Sequence, residues 1–231
     1  MHQISNSVYA RDELLTMNIL GKRLPNPYHE LPYMLIKNLL SLEECHELTN
    51  AALNDRESVK AELRGRMLDT AIRKTDIHTL SPQHSALYES RFATIRPELE
   101  KFFALSLSGS TNVQVLGYER EGFYLKHSDD SSELRDTNGT TVGYKVVAPE
   151  RCLTTVLFTT SYTLYPTDTD HFSGGELLFN YLCDENGDTI TIHPEAGDMV
   201  VFLSNPYFSH EVLPVKEGFR LSLVQWHNAH S

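Results

Sequence analysis

The residues best suited to chemistry in this chain lie in two short strings. One is Tyr124-Leu125-Lys126-His127-Ser128-Asp129. The other opens at His210, 83 residues after His127, and runs through Glu211-Val212-Leu213-Pro214 to Phe219-Arg220. On a β-strand, positions i and i+2 point to one face, so a strand through His127 and Asp129 would offer an imidazole and a carboxylate to the same ion. His210 would complete two neutral imidazoles and one carboxylate on one side of a divalent metal. Such a set leaves three coordination positions open and is the donor pattern of non-haem Fe(II) centres that use O2. Ten residues after His210, Arg220 carries a planar fork that grips a carboxylate bidentately. Ser222 shares its strand face and can add a hydroxyl bond. A 2-oxo acid could fill two open positions through its ketone and adjacent carboxylate, leaving the third for O2 and the far carboxylate for Arg220. Zinc could use the same ligands, but it favours closed four-coordinate sites or a hydrolytic water.

Eleven histidines allow accidental pairings. Two of them have an acid two residues later, His127/Asp129 and His193/Glu195. The second pair sits in His193-Pro194-Glu195-Ala196-Gly197-Asp198, which reads as a turn between strands because Pro194 disfavours regular alternation. His193 is therefore read as structural. Arg220 lies among Phe219, Leu221, Leu223 and Val224, and a guanidinium buried there needs a partner. That context separates it from a surface ion pair.

The elements that must position these groups follow from periodicity. Residues 1–31 read as an irregular N-terminal extension, since Pro25, Asn26 and Pro27 break any helix there. Pro32–Leu40 is strand-like. Ser41-Leu42-Glu43-Glu44 reads as a capping box opening a helix to about Leu53. Pro82–Leu105 is a second helix, with Leu87, Phe92, Ile95, Leu99 and Phe102 on one packing stripe. After Gly109 strand signals dominate: Val113–Leu116, Phe123–Lys126, Leu153–Thr160, Glu176–Phe179, Thr189–Ile192, Met199–Leu203, Ser209–Val212 and Arg220–Gln225. Helices followed by about eight strands predict an α+β, mainly β domain over 32–231 with a closed or double-layered sheet. Ser131–Glu150 and Tyr162–Phe172 read as loops, the first containing the turn signal Asp136-Thr137-Asn138-Gly139 and read either as a cover for the site or as a disordered surface insert.

Composition excludes several classes. A net charge of −11 argues against nucleic acid as a partner, although Arg64-Gly65-Arg66 with Arg73-Lys74 forms a basic stretch. The absence of a long apolar run and of a signal-like N-terminus predicts no membrane span and a cytoplasmic location. Cys45, Cys152 and Cys183 form no CxxC pair and are read as idle thiols.

From Pro32 to Trp226 the chain resembles the prolyl 4-hydroxylase-like group of Fe(II)- and 2-oxoglutarate-dependent dioxygenases. The markers are Tyr118-x5-Tyr124-x2-His127-x-Asp129, Arg151-Cys152-Leu153-Thr154, Gly174-Gly175-Glu176-Leu177, Gly197-Asp198-Met199-Val200-Val201-Phe202, and His210-x9-Arg220-x-Ser222. The resemblance implies a double-stranded β-helix (jelly roll, cupin-like) with flanking N-terminal helices. It implies iron on His127, Asp129 and His210, with 2-oxoglutarate and O2 as cosubstrates and ascorbate as an accessory reductant. It implies Arg220 at the far carboxylate, aided by the Tyr118 hydroxyl and, more weakly, by Thr154, with Tyr124 near the substrate. The activity implied is hydroxylation of a small amino acid-like molecule or a prolyl or peptidyl substrate, giving succinate and CO2. Asp129 favours hydroxylation over halogenation, since related halogenases carry a small residue there. Two departures stand out. Arginine replaces the family's frequent lysine at 220, and Glu121 stands where a glycine is usual, with Gly122 following. The rival readings are a non-catalytic metal and 2-oxoglutarate sensor, a zinc hydrolase on a similar fold, and a nucleic-acid demethylase, which the charge disfavours.

Overall fold

The computed structural model describes residues 2–4, 7–21, 24, 26, 29–54, 59–60 and 72–230. The apolar runs of the C-terminal half form antiparallel strands, and residue parity assigns their side chains to faces. Met199–Leu203, Arg151–Phe158 and Arg220–His230 lie side by side. From them Leu153, Leu157, Met199, Val201, Leu221 and Leu223 point outward. They pack with Leu48 of helix Leu42–Asn54 and with Tyr88, Ile95 and Leu99 of helix Pro82–Phe103. Val156, Phe158, Val200, Phe202 and Val224 point inward and meet Leu177, Phe179, Tyr181 and Val212 of a second sheet. The central strands are thus buried on both faces, which is why they read as nearly continuous apolar runs. Each fully buried Leu or Phe in these layers contributes roughly 1.5–3 kcal/mol.

The larger sheet runs His2–Ile4, Met34–Ile36, Met199–Leu203, Arg151–Phe158, Arg220–His230, Gln114–Tyr118, Asp76–His78, Val59–Lys60, and Ser106–Ser110 pairs with the far end of Arg220–His230. The smaller sheet runs Thr189–Ile192, Leu177–Cys183, His210–Val212, Phe123–His127, Arg73–Lys74. Two facing sheets with helices stacked on the outer face of one make a double-stranded β-helix with flanking helices. The capping box forms as read: the Glu44 N–H donates to Ser41 Oγ at 3.1 Å and the Ser41 N–H to Glu44 Oε2 at 2.8 Å. The three cysteines are free thiols. Among the described residues no helix is long and apolar enough to cross a membrane.

Three readings are corrected. Residues 1–31 are not irregular throughout. His2–Ile4 pairs with Met34–Ile36, Tyr9–Ala10 pairs with Leu177–Cys183, and Asn18–Leu20 runs parallel to Thr141–Val146. Val8, Leu14 and Leu31 are buried in the inner core. These strands are only two or three residues long, too short to show alternation. Second, Ser131–Glu150 is a β-hairpin rather than a loop: Ser131–Arg135 pairs with Thr141–Val146 around the expected turn, where Asp136 Oδ1 accepts from Asn138 N and Thr140 N at 2.9 Å each. Its inner face is tied down by polar contacts, which no hydrophobic pattern announces. Tyr144 is fully buried, with its hydroxyl 3.1 Å from that of Tyr181. Lys126 Nζ meets Glu133 Oε1 at 3.1 Å and donates to the Tyr181 hydroxyl at 2.8 Å. Third, Pro32–Leu40 is strand only over Met34–Ile36. Arg64–Arg66 lie outside the described residues, and Arg73-Lys74 form an edge strand.

Candidate metal centre

Antiparallel pairing of Phe123–His127 with His210–Val212 sets His127 directly opposite His210, so the register itself brings two imidazoles together, ring centroids 4.4 Å apart. Each ring is oriented the same way. Nδ1 of His127 lies 2.9 Å from the Leu125 carbonyl, and Nδ1 of His210 lies 2.9 Å from the Phe208 carbonyl. Donation from both Nδ1–H groups leaves both Nε2 lone pairs available to a metal. Tyr124 stacks on the His127 ring at 3.8 Å and 15°. Burial, and then the neighbouring His210, push the His127 pKa down to about 4, so that ring is a neutral donor at pH 7.

Asp129 reaches the site by a different route from the one its spacing suggests. The strand ends at His127, and Asp129 lies in the bend that follows. The bend is pinned by buried Asp130, whose Oδ1 accepts from Ser131 Oγ at 2.6 Å and whose carbonyl accepts from Val147 N at 2.8 Å. Asp129 Oδ1 comes within 3.9 Å of His127 Nε2. Its other oxygen accepts from Thr154 Oγ1 at 2.7 Å. Burial would raise the Asp129 pKa, but His210 and His127, followed by the Thr154 hydrogen bond, outweigh it and hold the carboxyl below the usual range. One ligand atom from each of His127, Asp129 and His210 falls within 4.8 Å of the others. Two imidazoles and one ionised carboxylate so clustered fit a divalent ion bound on one side.

All seven residues singled out in the sequence, His127, Asp129, His210, Arg220, Ser222, Tyr118 and Tyr124, line one cavity of about 1020 Å³. Arg220 is 1 % exposed. Its Nε donates to the Gly175 carbonyl at 2.8 Å and its Nη1 to Ser222 Oγ at 3.1 Å. The Gly174-Gly175 marker has a steric cause: Gly175 has φ +64°, and a Cβ there would meet Val215 Cγ2 at 2.8 Å and Arg220 Cδ at 3.1 Å. Burial pulls the Arg220 pKa down to about 10, still cationic at neutral pH. Its guanidinium lies 4.8 Å from the Tyr118 ring centroid and 5.0 Å from that of Phe158. Tyr118 meets Arg220 through its ring, and burial raises the pKa of its hydroxyl. Thr154 backs Asp129 instead of facing Arg220, a correction that follows from strand register, since Thr154 sits opposite Trp226 and Phe158 opposite Ser222. Glu121 takes the left-handed conformation itself, at φ +64°, so the turn survives without its glycine. His193 packs edge-on against Tyr162 at 4.4 Å, as a structural residue would.

Sequence reasoning missed Arg151 and Trp226. Arg151 Nη1 donates to the Asp129 carbonyl at 2.9 Å, and its guanidinium lies 4.0 Å over the Trp226 ring. Trp226 has the inward parity of Arg220 and Ser222, a signal that was available.

A family model described as the 2OG-Fe(II) oxygenase superfamily matches residues 113–228, a stretch that contains every side chain of this cluster. The chain belongs to the 2OG-Fe(II) oxygenase superfamily. Among curated relatives, a PKHD-type hydroxylase of Maricaulis maris is 38% identical over 66 residues, 29% of this chain and 27% of that protein. One from Synechococcus elongatus is 33% identical over 66 residues, with the same shares. The chain thus matches about a quarter of the length of these relatives. Solved structures with the same fold include a Pseudomonas putida prolyl-4-hydroxylase, with 23% identity, TM-score 0.57, and coverage of 86% of this chain and 93% of that one. Another is a Trichoplax adhaerens prolyl hydroxylase in complex with a hypoxia-inducible-factor peptide, with 17% identity, TM-score 0.61 and coverage of 85% and 83%.

Proposed function

We propose that this superfamily member is an Fe(II)- and 2-oxoglutarate-dependent hydroxylase of a C–H bond in a small molecule or peptide. The observation that carries the reading is the sharing of one cavity by the His127–Asp129–His210 cluster and a buried guanidinium whose partners are a carbonyl and a hydroxyl. A buried cation of that kind is a receptor for a carboxylate. Bound to the three side chains, ferrous iron would supply oxidation of the C–H bond by O2, coupled to decarboxylation of 2-oxoglutarate to succinate and CO2.

The chain's own residues have separable tasks in this reading. Nδ1 bonds to main-chain carbonyls fix the tautomer of both histidines, and the Tyr124 stack fixes the His127 ring plane. Thr154 and Arg151 hold Asp129 from the side chain and the main chain respectively. Ser222 and Gly175 aim the Arg220 fork, while Val156, Leu177, Val212 and Val224 keep water from the reacting centre. A neutral phenol is kept at Tyr124, whose pKa burial raises to about 12.

The test is anaerobic titration of metal-free protein with Fe(II) and then 2-oxoglutarate, watching the weak charge-transfer band near ~500 nm of an iron–2-oxo-acid chelate. The band should form in the wild type and vanish in His127→Ala and Asp129→Ala. Tight zinc binding with no band would overturn the oxygenase reading in favour of a hydrolase. A band without succinate formation under any substrate would favour a sensor.

A further inference from the structure

The cavity holds a second cationic end besides Arg220, at Arg151. Arg220, Ser222, Val224 and Trp226 line it at every second position of one strand. At roughly 3.3 Å per residue, the Cα atoms of Arg220 and Trp226 stand roughly 20 Å apart. Arg151 belongs to the Trp226 end, where its guanidinium carbon lies over the indole, 4.0 Å from the ring centroid. The Arg220 fork turns from its Cα toward Ser222, so a five-carbon diacid shared between that fork and the metal cluster leaves the Arg151 fork, farther along the strand, to a second ligand. Asp129 lies at the Arg151 end, since Arg151 Nη1 bonds its carbonyl at 2.9 Å. The guanidinium therefore lies beside the main chain of a residue of the metal cluster.

The charge balance of the walls points the same way. Five basic side chains, Arg73, Lys126, Arg135, Arg151 and Arg220, line the cavity against two carboxylates, Asp129 and Glu133. Glu133 is taken up by Lys126 at 3.1 Å and Arg135 at 2.5 Å, and Asp129 faces the two histidines. In a chain of net charge −11, a cation-rich concavity concentrates anions from solution. Among the described residues the polar partner of Arg151 is a carbonyl, which leaves the rest of its donor fork for a ligand.

We propose that the prime substrate is a small molecule with a free carboxylate, bound by the Arg151 fork against the Trp226 indole, with the oxidised carbon a few bonds from that carboxylate. The inference rests on the oxygenase reading and selects, within it, a free acid over an internal residue of a protein chain. A carboxylate on Arg151 makes charge-assisted paired hydrogen bonds that a carboxamide cannot reproduce.

Trp226 is the chain's single tryptophan, so its fluorescence reports this end of the cavity. The full chain, loaded with Fe(II) and 2-oxoglutarate without O2, is titrated with the twenty free L-amino acids, with their carboxamides, and with a proline-containing peptide blocked at both ends. At least one free acid should give a saturable change, with its amide and the Arg151→Gln variant weaker by roughly ten-fold or more. Circular dichroism checks that the variant folds; if it does not, the acid–amide comparison in the unaltered chain decides. Equal binding of acid and amide, silence of every free acid, or a response confined to the blocked peptide overturns the proposal. The ~500 nm band of the iron–2-oxo-acid chelate separates the two failures. If it is absent the oxygenase reading falls, whereas if it is present under any of those outcomes only the carboxylate inference falls.

Discussion

A guanidinium that is 1 % exposed and lowered by burial to a pKa of about 10 works against folding. At 1.36 kcal/mol per pKa unit, holding it charged costs about 3 kcal/mol before its hydrogen bonds are counted. Arg220→Met should therefore melt at the same temperature as the ligand-free wild type or higher. The same variant should lose the thermal protection that added 2-oxoglutarate gives the iron-loaded protein. A large drop in melting temperature would show that Arg220 serves the fold rather than a ligand. Thr154 is the complementary case, since its hydroxyl touches Asp129 and no cavity space. Thr154→Val should weaken iron binding by roughly 10–100-fold in a competitive chelator titration while leaving the 2-oxoglutarate requirement intact. The ligand types and the Arg220–Ser222 spacing could be read from the chain because each depends on neighbours in sequence. The Thr154–Asp129 bond joins a strand residue to a bend residue 25 positions away, and nothing local in either residue encodes it.

The strand Arg220–His230 serves two structures at once, lining the cavity with one parity and the helix-packed core with the other. His227 is on the helix side. It is fully buried, its Nε2 is 3.0 Å from Thr155 Oγ1 and its Nδ1 2.7 Å from Ser110 Oγ, and Phe92 stacks on it at 4.4 Å. Burial, and then Arg96, pull its pKa down to about 4. The folded state thus holds this ring neutral while the unfolded chain protonates near the ordinary histidine value of about 6.5. Its contribution to stability is complete above that value and is lost as pH falls towards 4, by about 3 kcal/mol in all. His227→Asn should lower stability at neutral pH and flatten the metal-free melting curve's dependence on pH across that window. An unchanged slope would mean that the ring titrates normally. Carboxylates with depressed values, such as Glu133 and Asp129, lose their contribution at lower pH. The apolar strands were legible because they are buried on both faces. The Ser131–Val146 hairpin was not, since Tyr144, Glu133, Lys126 and Tyr181 replace apolar alternation with a hydrogen-bonded network. Glu133→Gln should loosen that network, and hydrogen exchange of Ser131–Val146 should quicken while exchange in Arg151–Phe158 does not.

At the scale of the molecule, the N-terminal segments bind parts of the fold that would otherwise have open edges. One strand covers Met34–Ile36, another Leu177–Cys183, and a third the hairpin beside the cavity. Among the described residues none of these strands pairs with Phe123–His127 or His210–Val212, so assembly of the metal cluster and covering of the hairpin edge are separable. Deleting residues 2–20 removes the buried side chains of Val8 and Leu14, about 3–6 kcal/mol of burial at roughly 1.5–3 kcal/mol each. For a chain of this size that corresponds to a fall of about 10 °C or more in melting temperature. The edge of Thr141–Val146 that Asn18–Leu20 covers would be left open, and that strand would lose one of its two strand neighbours. The truncated chain should still form the iron–2-oxo-acid band below its melting point. It should also consume 2-oxoglutarate without substrate faster than the full chain, because a looser hairpin admits water to the site. Loss of the band at a temperature where circular dichroism shows the sheets intact would mean that the N-terminal strands position the metal ligands themselves, contrary to the independence that the strand pairings imply.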